Sequence, residues 1–104
     1  MSNNSELGNL IDATEEEFRE YCEDKNVGYL SGFHNLLVQT FNQVQGIKDE
    51  LVSQMSKTDK ESEEYSSQQT VLEGLYSKLM RIEQRVFILR DLIKDKQVVP
   101  EVPQ

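Results

Sequence analysis

The chain of 104 residues has one cysteine, one histidine, no tryptophan and two prolines. A single cysteine, Cys22, excludes an internal disulfide framework and a zinc site built from several thiolates. Both prolines, Pro100 and Pro103, stand in the last five positions, so nothing forces a helix to break before residue 100. No stretch approaches the ~20 apolar residues of a membrane span, and no basic-then-apolar leader opens the chain. The expected setting is intracellular, cytoplasmic or nuclear. Basic residues are scarce: 11 Lys and Arg against 19 Asp and Glu give a net charge of -8. That balance argues against direct nucleic-acid binding, because phosphate contact needs clustered Lys and Arg. There is no dense basic block ahead of the apolar repeats and no glycine-rich phosphate loop.

What is present is helical periodicity. Thr14-Glu15-Glu16-Glu17 matches a capping box, in which Thr14 accepts from the third helical amide and Glu17 reaches back to the Thr14 amide. A helix over 15–26 follows, with Phe18, Tyr21 and Cys22 on one face and Asn26 and Gly28 as stop signals. From Leu30 a seven-residue repeat begins. Leu30, Leu37, Val44 and Leu51 take position a, and Phe33, Thr40, Ile47 and Gln54 take position d, predicting a helix over 30–56. A third stretch is more regular. Leu72, Leu75, Leu79, Ile82, Val86, Leu89 and Ile93 fill a and d without a miss, predicting a helix over 65–96 with a coiled-coil seam. Residues 1–13 are expected to be mostly disordered, with Leu7, Leu10 and Ile11 as a possible docking stretch. Residues 14–96 form the helical hairpin domain, and 97–104 an extended tail.

Leu51 and Leu72 are 21 residues apart, so the two repeats are in phase. One parallel coiled-coil rod is therefore an alternative to a hairpin. Between those leucines, however, the seam positions are Gln54, Thr58, Glu61, Tyr65 and Gln68, which would leave a rod with a wet waist. A turn near residue 63 instead places Leu51 opposite Leu75, Ile47 opposite Leu79, Val44 opposite Ile82, Thr40 opposite Val86, Leu37 opposite Leu89 and Phe33 opposite Ile93. It also sets Glu50 against Lys78. The expected fold is all-α: an antiparallel hairpin with a coiled-coil seam and a short N-terminal helix, assembling into a larger helical bundle. The residues of the seam are Leu37, Val44, Ile47, Leu51, Leu72, Leu75, Leu79, Ile82, Val86, Leu89 and Ile93.

Apolar residues also spill past the seam. Phe41, Val52, Met55, Tyr76, Met80 and Phe87 sit at positions b and e and form the candidate partner interface; Val38 shares that flank, while Leu36, Val71 and Leu92 lie at g. Charge is uneven. Residues 1–24 carry eight acids against Arg19, and residues 77–97 carry six bases against three acids, so the acidic arm fits over the basic end of the last helix, within the chain or across a dimer. No catalytic grouping stands out. His34 reads as a boundary residue and Cys22 as a small core residue, and Glu15–Glu17 lack the spaced oxygen ligands of a calcium loop. No cofactor or metal is implied. The function this predicts is that of a non-enzymatic coiled-coil subunit or adaptor, with protein partners bound helix to helix in a homo- or hetero-oligomer. The alternative is an acidic inhibitor or nucleic-acid mimic, presenting Glu15, Glu16, Glu17, Glu20 and Glu23 to a basic site on an enzyme. Pro100-Glu101-Val102-Pro103 also satisfies a P-x-x-P pattern.

Overall fold

The computed structural model describes residues 10–97. Residues 10–12 are helical, and three helices follow: α1 (Glu15–Glu23), α2 (Val27–Met55) and α3 (Glu63–Gln97). No strand occurs among the described residues. The long helices α2 and α3 pack against each other as an antiparallel hairpin, and α1 lies against α3 at its base. The molecule measures 68 × 32 × 20 Å with a radius of gyration of 18.0 Å, against ~13 Å for a compact domain of ~100 residues. The P-x-x-P tail and Leu7 lie outside the described residues.

Local chemistry sets the helix ends. The Thr14 hydroxyl accepts from the Glu17 amide at 3.1 Å, and the Glu17 carboxylate accepts from the Thr14 amide at 3.0 Å, so the capping box is complete. The first helix is shorter than expected, ending at Glu23 rather than near 26. Asn26 does not stop it. Its side-chain oxygen accepts from the Tyr29 amide at 2.7 Å and starts α2, with Gly28 inside the first turn. An Asn oxygen caps an N-terminus as readily as an Asn backbone ends a helix, and sequence alone does not separate the two roles.

The hairpin connection, residues 56–62, contains neither Gly nor Pro. Polar side chains build it instead. The hydroxyls of Ser56 and Thr58 donate to the Ser53 and Gln54 carbonyls at 2.6 and 2.9 Å. The Asp59 carboxylate accepts from the Glu61 amide at 3.0 Å, and the Ser62 hydroxyl accepts from the Tyr65 amide at 3.1 Å, capping α3. Ser and Asp side chains thus satisfy the backbone groups that a tight turn leaves open.

The core is concentrated at the base. Phe18, Cys22, Leu30, Leu37, Ile82 and Leu89 have essentially no exposed surface, and Ile11 joins them, so the docking stretch is seated in the core at its Leu10–Ile11 end. Of the expected seam, Leu37, Val44, Leu79, Ile82, Val86 and Leu89 are buried, and Leu51, Leu72, Leu75 and Ile93 are half-buried. Ile47 departs from the expectation, being 57% exposed. Toward the tip only two helices meet, and two cylinders cover each other along one line, so a residue beside that line stays wet. Across the hairpin His34 contacts Arg90 and Lys48 contacts Tyr76, all four at position e beside the seam. Glu50 and Lys78 make no ion pair among the described residues; Lys48 pairs with neighbouring Asp49 at 2.9 Å.

Candidate functional site: the uncovered flank of the hairpin

The hairpin has two flanks, and the N-terminal arm covers the base of one of them, leaving Leu36 and Val71 on that flank 42% and 54% exposed. Phe18 packs on Phe33 with ring centroids 5.7 Å apart, Tyr21 lies edge-on to Phe33, and the hydroxyls of Tyr21 and Tyr29 bond to each other. Lys25 sits 4.5 Å over the Tyr21 ring. On α3 the arm is gripped by basic residues. Arg81 donates to the Asp12 carboxylate at 2.9 Å, Arg85 donates to the Ala13 carbonyl, and Lys96 donates to the Glu23 carbonyl at 2.7 Å. The arm therefore runs parallel to α3. The acidic N-terminal part lies over the basic end of the last helix within one chain.

Arg85 is the residue that periodicity missed. It is 4% exposed, its guanidinium lies 5.4 Å from the Phe18 ring centre, and it also donates to Gln84 at 3.0 Å. Burial pulls its pKa below the ordinary arginine value; nearby Glu15 opposes that shift and Arg81 adds to it. Ile88 is also buried, at 4% exposure, although the heptad pattern puts it at outer position c. The contacts of Arg81, Arg85 and Lys96 bracket it. The signal was a second stripe, Arg81, Arg85, Ile88 and Leu92, at helical spacing beside the seam.

The opposite flank, positions b and e, has no such cover. Here Met80 is 70% exposed, Phe87 53%, Tyr76 48% and Val52 42%. Phe41 is half-buried against the core, beside a shallow depression of about 170 Å3 lined by Val38, Phe41, Glu83, Val86 and Arg90. Met55 is corrected from the expected interface: at 7% exposure near the hairpin connection it is part of the fold. A second groove, about 410 Å3, runs on α3 between Met80 and Phe87. The guanidinium of Arg90 lies 5.8 Å from the Phe87 ring centre and its Nε donates to His34 Nε2 at 3.1 Å. The flank thus presents apolar side chains edged by charge, a surface suited to an amphipathic helix.

Few groups are arranged for covalent or metal chemistry. Cys22 is buried, and burial pushes its thiol up to about 11, with Asp24 adding to the shift and Lys25 opposing it. The unfolded thiol ionises nearer its ordinary 9.0, so between those values the unfolded chain loses its proton first. The Cys22 contribution to stability is present below pH ~9 and is lost as pH rises toward ~11. Urea melts across that window should show a steeper loss for the parent than for Cys22→Ala; equal slopes would refute it. Among the described residues, no three His, Cys, Asp or Glu side chains converge as a metal site, and no helix is long and apolar enough to cross a membrane.

No protein-family model matches this chain, and no curated protein or solved structure gives a significant match.

Proposed function

We propose that the chain is a non-enzymatic helical interaction module, a small subunit or adaptor that docks partner helices on the flank its own arm leaves open. The observation that carries this reading is the row Tyr76, Met80 and Phe87 on α3, each about half or more exposed, beside Val52 on α2. Single exposed apolar residues are common on protein surfaces, whereas several large ones along one helix edge, here interrupted only by Glu83, favour an interface. The arm supports the same reading. It spends its aromatic residues on the base of the other flank, so the chain has no described segment of its own left for this one.

The acidic-decoy alternative draws less from the geometry. Asp12 is paired with Arg81, Glu15 with Arg19 at 3.1 Å, and Glu17 closes the helix cap. Those carboxylates already serve the fold.

A photo-cross-linking residue placed at Phe87 tests the proposal. In cells producing the full chain, irradiation should give discrete protein adducts that disappear when Met80→Glu is added. The same residue at Asn42, exposed on the outer face of α2, should give none. Equal yields at the two positions would end the proposal.

A further inference from the structure

We infer that the occupant of the open flank is a second copy of this chain, joined through an antiparallel α3–α3 contact with its two-fold axis near Glu83 and Gln84. This rests on the docking reading above and names the partner. The α3 edge on this flank reads, in order, Glu73, Tyr76, Met80, Glu83, Phe87 and then Arg90 with Lys94. Acid stands at one end, base at the other, and the apolar residues lie between. Inverting the helix about residues 83 and 84 maps that pattern onto its own complement. Glu73 of one copy meets Lys94 of the other, Met80 meets Phe87, and Tyr76 falls one residue from Arg90. Each contact occurs twice, as a two-fold interface requires.

Three observations support the pairing. Glu73 and Lys94 are exposed, and neither has an ion-pair partner among the described residues. The groove of about 410 Å3 between Met80 and Phe87 is the kind of gap that a ridge from a facing helix fills. Residues 73 to 94 also span ~32 Å of helix at 1.5 Å per residue, enough for a continuous contact. The expected dimer is weak. Aromatic side chains present ~200 Å2 each and about half of that is already covered here, so the apolar gain is modest. The total lies near the lower bound of ~1,000 Å2 for a specific interface, the range of transient dimers. The two Glu83 carboxylates also approach each other near the axis.

Sedimentation of the full chain at near-physiological salt, where screening over ~8 Å mutes the overall negative charge, tests the inference. The parent should pass from monomer to dimer with micromolar dissociation. Glu73→Lys and Lys94→Glu should each weaken the dimer roughly tenfold, since each reversal acts at two symmetric sites. The double reversal should restore the parent value, and Glu83→Gln should tighten it. A chain that stays monomeric throughout, or a double reversal as weak as the singles, overturns the inference. If the chain is monomeric yet still cross-links at position 87 in cells, a helix of another protein occupies the flank and the docking proposal stands without this partner. If both experiments fail, both readings fail.

Discussion

Leu79→Asp is expected to unfold the chain or lower its melting temperature by ~15 °C or more, while Ile47→Asp should melt close to the parent. The heptad pattern places these two residues in one layer and gives no reason to treat them differently. The structure separates them. Leu79 is 8% exposed and belongs to the core cluster, whereas Ile47 is 57% exposed. A carboxylate at Leu79 must either lose its hydration or force the helices apart, at a cost of roughly 3 kcal/mol or more. That is a large share of the ~5–15 kcal/mol that holds a small domain together. A carboxylate at Ile47 remains in water and should cost under ~1 kcal/mol. Thermal melts followed by circular dichroism decide the matter. Similar large losses for both variants would mean that the tip is as tightly packed as the base.

The contrast between Leu79 and Ile47 shows where the sequence was legible. The unbroken aliphatic repeat in α3 and the polar gap between Leu51 and Leu72 were sufficient for the hairpin, because alternating burial along a helix is a one-dimensional signal. Which part of the hairpin a third element would cover is not one-dimensional. It depended on where the arm's aromatic residues landed, and that left Ile47 wet while burying Ile88 at an outer position. The connection was legible as polar but not as a turn, since Ser56, Asp59 and Ser62 make it with side-chain hydrogen bonds rather than with Gly or Pro. Of the candidate interface, Val52, Tyr76, Met80 and Phe87 are exposed. Phe41 and Met55 share their spacing but are half-buried and buried, a difference of packing rather than of period.

The largest local effect is expected at Phe18. Phe18→Ala should release the arm while leaving the α2–α3 hairpin assembled. Phe18 is fully buried between Phe33 and the Arg85 guanidinium, and removing a buried aromatic ring costs ~3–5 kcal/mol. The arm has little to spend against that loss. Helix α1 is nine residues long, below the ~12–15 residues at which an isolated helix becomes even marginally stable in water, so once undocked it should also unwind. Cys22 reports the event directly because it is buried only while the arm is seated. Its labelling by a thiol reagent near neutral pH should accelerate by a factor of ~100 or more, the equivalent of ~3 kcal/mol in the opening equilibrium. The helical signal should fall only by the share that α1 contributes. Arg85→Met is the informative companion. It leaves the Ala13 carbonyl without its donor, but it also removes a buried charge whose Nε has no hydrogen-bond partner among the described residues. These effects oppose each other, so the arm should stay docked and the labelling rate should change far less than in Phe18→Ala. If the two variants expose Cys22 equally, the guanidinium holds the arm as strongly as the ring does; if neither exposes it, the arm is anchored by its apolar residues Leu10 and Ile11 rather than by α1.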